Sequence, residues 1–201
     1  MRIAQYVRNI AVPFSILMAV IVSPSNAGAA EQSPFYGGNG GNKAYNLNCG
    51  AKAAIIGLNG RFGLHIDQLG LICQKIRADG SLGEIFTKGP VGGTGGQSAN
   101  ARCKPKDVAG GVLVTNISLG PMAGPIIYIA LKCQDWSFSS KARKTQGEYF
   151  VSLKGRTFEG SKKTNQRSFS CMDKHNVLRA LKGKHGSVID SLQAVCDRYD
   201  R

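Results

Sequence analysis

Two aspartates, Asp67 and Asp190, stand far apart in the chain in closely similar settings. Each closes a G-x-x-x-D run, Gly63-Leu64-His65-Ile66-Asp67 in one case and Gly186-Ser187-Val188-Ile189-Asp190 in the other. A carboxylate beside a tight turn can tie that turn through its own backbone, or it can face a ligand. Two carboxylates can also act together on a glycosidic bond, but that chemistry needs them roughly 5 to 10 Å apart. Nothing in the sequence brings these two so close, so no catalytic residue is expected and the protein reads as a non-enzyme. His65 lies between Leu64 and Ile66 and reads as a side chain bordering a ligand rather than as a base. With His175 and His185 it completes the histidine complement. None of the three is spaced as a metal site, so neither metal nor other cofactor is expected.

Glycine-rich loops recur as well. Gly37-Gly38-Asn39-Gly40-Gly41 precedes Cys49, Gly92-Gly93-Thr94-Gly95-Gly96 precedes Cys103, and the matching place before Cys171 holds Gly160-Ser161-Lys162-Lys163. Glycine permits positive φ and leaves backbone N–H groups uncovered, which suits either a plain turn or a donor surface. The two aspartates sit in a longer repeat: Gly60 to Cys73 overlays Gly183 to Cys196, with Arg61 matching Lys184, Ile66 matching Ile189 and Leu69 matching Leu192. The third pair of cysteines, Cys103 and Cys133, brackets a segment of similar size, so the chain reads as three repeats over about residues 36–76, 89–136 and 159–197. The middle repeat departs from the others. Counting back from Cys133 by the interval between Asp67 and Cys73 lands on Ile127, and the loop expected to face it is the one that has lost its glycine pair.

The elements that must carry these loops are strands. Short apolar runs punctuated by glycine, asparagine and proline form an all-β signature. Ala53–Leu58 and Leu64–Ile76 read as strands around a turn at Asn59–Gly63. Gly111–Ile117 with Ile126–Cys133, and Asn176–Leu181 with Val188–Val195, take the same parts in the other repeats. A helical period fits the last segment only partly, and Gly183 and Gly186 oppose it.

Residues Arg2–Arg8, the apolar run Ile10–Val22 and Ala27-Gly28-Ala29 have the layout of a secretory signal peptide, assigned to residues 1–29. Residues 30–201 then form one domain, secreted to the periplasm or the exterior, with no integral membrane segment after cleavage. In that compartment the six cysteines read as disulfides. Fifteen pairings are possible; the repeat favours Cys49 with Cys73, Cys103 with Cys133 and Cys171 with Cys196. The formal charge is +14, and loss of Arg2 and Arg8 with the leader leaves +12. Such a balance suits an anionic envelope polysaccharide or lipid surface, or serves solubility alone. No nucleic-acid module is present in the sequence.

The order G-G-x-G-G, apolar strand, G-x-x-x-D, apolar strand resembles the jacalin-related lectins, and one disulfide per repeat is closer to the vitelline membrane outer layer proteins. The resemblance covers about Tyr36 to Cys196. It implies a β-prism of three Greek-key repeats, and a hexose bound between a G-x-x-x-D loop and the glycine loop of the next repeat. Asp67 would face Gly93, Gly95 and Gly96, and Asp190 would face Gly38, Gly40 and Gly41. The implied ligands are glycans. The vitelline-type proteins keep the prism glycines without a well-defined lectin activity, which supports the turn reading of the aspartates; the alternative function is a non-catalytic, basic, envelope-associated structural or inhibitory protein that binds anionic surfaces.

Overall fold

The computed structural model describes residues 30–119, 122–136, 148–154, 164–171 and 176–198. The segment assigned as a leader and the loop Gly160–Lys163 lie outside them. All thirteen regular elements among the described residues are strands. The chain opens with β1 (Glu31–Gln32), β2 (Tyr36–Gly37) and β3 (Lys43–Asn48). It continues through β4 (Ala53–Phe62), β5 (Ile66–Ile76), β6 (Leu82–Gly92) and β7 (Gln97–Arg102). Next come β8 (Asp107–Leu119), β9 (Met122–Asp135), β10 (Tyr149–Lys154) and β11 (Thr164–Ser170), and last β12 (Asn176–His185) and β13 (Ile189–Arg198).

These strands form three antiparallel sheets. The order is β6-β5-β4-β7 in one and β10-β9-β8-β11 in the next, so in each a hairpin is joined by a third strand and a fourth that returns to the hairpin's first strand. That is a Greek key. The remaining sheet has the same plan but is assembled from both chain ends, β1-β13-β12-β3 with β2 also pairing β13. The expected β-prism of three Greek keys is therefore present, closed by its own termini.

Each central hairpin carries the same irregularity. Register shifts occur between Ile55 and Gly57, between Ala109 and Gly111, and between Leu178 and Ala180, leaving Ile56, Gly110 and Arg179 as the extra residues. A bulge reverses which side chains face inward beyond it. That is how Ile55 and Ile56 are both buried: Ile55 enters the central core, and Ile56 a smaller cluster with Trp136, Ile76 and Val177. The carbonyl freed at each bulge has a fixed use. Ile56 O accepts the Cys103 N–H at 2.8 Å, Gly110 O that of Cys171 at 2.9 Å, and Arg179 O that of Cys49 at 3.1 Å. Each of these cysteines follows the outer strand of one sheet, and its disulfide crosses to the hairpin of the next. Cys49 joins Cys73 on β5, Cys103 joins Cys133 on β9, and Cys171 joins Cys196 on β13. The pairing favoured by the repeat is thus the one formed, and each bond holds a corner between two sheets.

Inside, the three hairpins contribute alike. Leu58, Leu69 and Leu71 meet Ile126, Ile129 and Leu131, and these meet Leu178, Leu181 and Leu192, all nearly or wholly buried. The strands run further than the sequence pattern suggests. Asn59–Phe62, expected as a turn, continues β4, and only residues 63–65 turn before β5. Gly60 and Gly183 are strand glycines because the carbonyls of Gln68 and Ser191 stand where their Cβ atoms would be. The middle hairpin is longer again, pairing out to Leu119 and Met122.

Candidate functional site

The turns that close the first and third hairpins are built alike. Gly63 N donates to His65 O and Gly186 N to Val188 O, both at 3.0 Å. Asp67 and Asp190 lie directly after, one residue into β5 and β13. Their backbone carbonyls fasten the glycine loops: Gly93 N donates to Asp67 O and Gly38 N to Asp190 O, both at 2.8 Å. Each carboxylate therefore comes to face a loop from another part of the chain. The two facings are those implied by the resemblance.

Glycine is required in those loops for two separate reasons. Gly41 and Gly96 have φ of 73° and 64°, in the left-handed region. In addition, a Cβ on Gly96 would lie 2.6 Å from Asp67 Oδ2, and one on Gly41 2.6 Å from Asp190 Oδ2. A Cβ on Gly95 would lie 2.8 Å from Asp67 Oδ1, and one on Gly40 would meet Asp190 Oδ1. Any side chain at these positions would press on the carboxylate, so the loop can approach it only as bare backbone.

The two carboxylates differ in one respect. Asp190 Oδ2 accepts the Gly186 N–H at 3.0 Å and so braces its own turn. Asp67 Oδ2 is buried without a hydrogen-bond partner. Tying the local turn accounts for part of the Asp190 side chain, but not for Asp67.

Each site has a third wall taken from the neighbouring hairpin. A Cβ on Gly93 would meet Ser187 O, so the Asp190 turn abuts the Asp67 site. A Cβ on Gly38 would lie 2.5 Å from Ala123 O, so the tip of the middle hairpin abuts the Asp190 site. There it forms a cavity of about 500 Å³, lined by Gly37–Gly40, Met122–Pro125 and Asp190. That volume suits a small ligand. Met122 is 67% exposed at its rim. The part played by Met122–Pro125 was missed by sequence reasoning, since the tip lacks both glycine loop and aspartate. Its only sequence signal is the extra length of the middle hairpin.

Ile127 occupies the position anticipated for it. Ile126 pairs with Asn116 as Ile66 pairs with Phe62 and Ile189 with His185, which puts Ile127 in register with the two aspartates. It is 6% exposed. Leu64 is exposed and His65 half-buried on the turn before Asp67. His185 Nδ1 lies 3.1 Å from Gly186 O, and its ring is tilted against Tyr45. The buried Tyr45 hydroxyl donates to Ser191 O at 2.8 Å, fixing the strand beside Asp190, and burial holds its pKa far above the ordinary tyrosine value. Among the described residues no group of three His, Cys, Asp or Glu side chains is placed to hold a metal ion.

No family model matches the sequence, and no curated protein does. Solved structures do match the fold. A mannose-binding jacalin-related lectin from Ananas comosus superposes with TM-score 0.53 at 19% identity, over 85% of this chain and 99% of that one. Wild-type Malaysian banana lectin gives 0.55 at 17% identity, over 85% and 99%. Frutapin, a lectin from Artocarpus incisa, gives 0.57 at 13% identity with the same coverage. With three Greek-key sheets, no helix among the described residues and near-complete coverage of these lectins, the chain has the β-prism fold of the jacalin-related lectins.

Proposed function

We propose that the protein is a secreted, non-catalytic carbohydrate-binding protein with two hexose sites, one at Asp67 and one at Asp190. The observation that carries this reading is the paired geometry. At each site a carboxylate faces a loop whose glycines are enforced by the carboxylate itself, and at the third, equivalent position isoleucine takes the aspartate's place. A sugar offers hydroxyl donors to the carboxylate and hydroxyl acceptors to backbone N–H groups on one small uncharged rim. The mannose-binding activity named for the Ananas comosus lectin makes mannose the first probe. Each carboxylate serves its own glycine loop, and neither is assigned a catalytic role.

A second reading rests on the charge of +12 left after loss of the leader: adhesion of a basic protein to an anionic envelope polysaccharide. Salt separates the two, since exposed charge attraction weakens as the Debye length shrinks to about 3 Å at 1 M salt. On a glycan array, retention of neutral hexosides at high salt is expected. Signals confined to anionic glycans and lost with salt would replace the hexose reading with the electrostatic one.

Gly95→Ala offers a sharper check within one site. Gly95 is not held at positive φ, so alanine costs little in backbone strain. Its methyl would press on Asp67 Oδ1. In an Asp190→Ala background, mannoside affinity is expected to fall about tenfold or more, the equivalent of one charge-assisted hydrogen bond. Unchanged affinity would mean that a sugar does not enter between Gly95 and Asp67.

A further inference from the structure

The outer face of the Asp67 site carries a contact that the Asp190 site lacks. Arg61, near the end of β4, spreads its guanidinium over the glycine loop. Nε donates to Gly95 O at 2.8 Å, Nη2 to Gly96 O at 2.7 Å and Nη1 to Ser98 Oγ at 3.0 Å. Beside it on β5, Gln68 Nε2 donates to Gly93 O at 3.2 Å. Three carbonyls of one loop are thus drawn to the same side. In a trans peptide the N–H points opposite to the C=O, so the N–H groups of Thr94, Gly96 and Gln97 are turned away from these side chains.

In the third repeat the same two positions are Lys184 and Ser191, paired across the hairpin as Arg61 and Gln68 are. Lys184 is exposed, and no hydrogen bond joins its ammonium to the loop Gly37–Gly41 among the described residues. Ser191 Oγ is taken by the Lys184 backbone N–H at 3.1 Å. A lysine could not replace the clamp. It offers a single point charge on a flexible stem, whereas the guanidinium is a planar fork with donors at fixed angles.

We infer that Arg61, seconded by Gln68, is a positioning residue of the Asp67 site: it holds the glycine loop in the ligand-ready conformation. Among the described residues the Asp190 loop lacks this second hold and is fastened through Gly38 N to Asp190 O. The inference rests on the carbohydrate reading for its binding half only; the ordering of the loop stands independently. Preorganisation of this kind raises affinity by removing an ordering cost at the moment of binding. Arg61 acts through the loop carbonyls and is not itself a ligand contact.

The test uses the mature, oxidised protein with methyl α-mannoside as probe. Arg61→Gln and Arg61→Lys are each made in an Asp190→Ala background, and Lys184→Gln in an Asp67→Ala background. Without ligand, amide hydrogen exchange at Gly93, whose N–H is bonded to Asp67 O, is expected to quicken about tenfold in both Arg61 variants, as local opening not matched by a fall in Tm. With mannoside, affinity at the Asp67 site is expected to weaken about tenfold in both, lysine giving no rescue, while Lys184→Gln leaves the Asp190 site unchanged. Loop exchange that stays slow, or rises only in step with a falling Tm, overturns the clamp. Faster exchange with unaltered affinity, or rescue by lysine, overturns its role in binding. If the parent Asp190→Ala protein binds no mannoside, the carbohydrate reading of this site and the binding half fall together, and exchange alone decides whether Arg61 orders the loop.

Discussion

Replacing Asp67 and Asp190 together by alanine is expected to abolish capture of the protein on a dense mannoside surface. Each change removes the acceptor from one pocket and leaves the fold's cores untouched, since both carboxylates lie at the turns and outside the apolar clusters. A single shallow hexose pocket reaches only mM affinity, about −4 kcal/mol, so strong retention depends on two sites acting at once. Two sites on one rigid prism can gain roughly a hundredfold through effective concentration. Each single variant should therefore lose far more than half of its retention on the surface, yet only half of its capacity in a solution titration. Ile127→Ala should retain binding, although removing a nearly buried isoleucine costs about 2 to 5 kcal/mol of stability. A double variant with unchanged melting temperature that still binds as the parent does would show the aspartates to be turn residues.

What the sequence made legible depended on repetition. The aspartates, their glycine partners and the cysteine pairing are each stated more than once, and an equivalent position that breaks the pattern, Ile127, could be found by counting. What stayed hidden arises where elements distant in the chain meet. The bulges at Ile56, Gly110 and Arg179 consume single residues in apolar runs and leave no pattern of their own; their carbonyls are satisfied by cysteines that follow other strands. Gly60 and Gly183 resemble turn residues because strand glycine and turn glycine look the same until the opposing carbonyl is known. The Arg61 clamp joins residues more than thirty positions apart. The apolar wall Met122–Pro125 belongs to the repeat that has lost its aspartate. A local motif search places function elsewhere, while the topology brings that tip to the Asp190 pocket. Local chemistry was readable and the facing of each aspartate came with the family resemblance, whereas the bulges, the Arg61 clamp and the Met122–Pro125 wall were not.

Reduction of all three disulfides is the other change with a large expected effect, and the placement of the staples sets its size. Each closes a loop of 24 to 30 residues, for which the chain-entropy model gives about 3 kcal/mol. Together they contribute about 9 kcal/mol, within the whole range of about 5 to 15 kcal/mol that holds a domain folded. The loss is not evenly felt. The three bonds sit at three corners between sheets, so removing one leaves the sheets still linked in series through the other two, whereas removing all leaves only the shared core. Cys103→Ala with Cys133→Ala should therefore fold, melting roughly 6 to 12 °C lower as about 3 kcal/mol implies for a domain of this size. The fully reduced and alkylated protein should lose its cooperative transition and its near-UV signal at ambient temperature. Thermal melts of the oxidised, single-staple-deleted and alkylated proteins, run side by side, decide the matter. If the alkylated protein melted as cooperatively and as high as the oxidised one, the corner bonds would not be what keeps the prism closed, and the apolar core shared by the three hairpins would have to supply that stability alone.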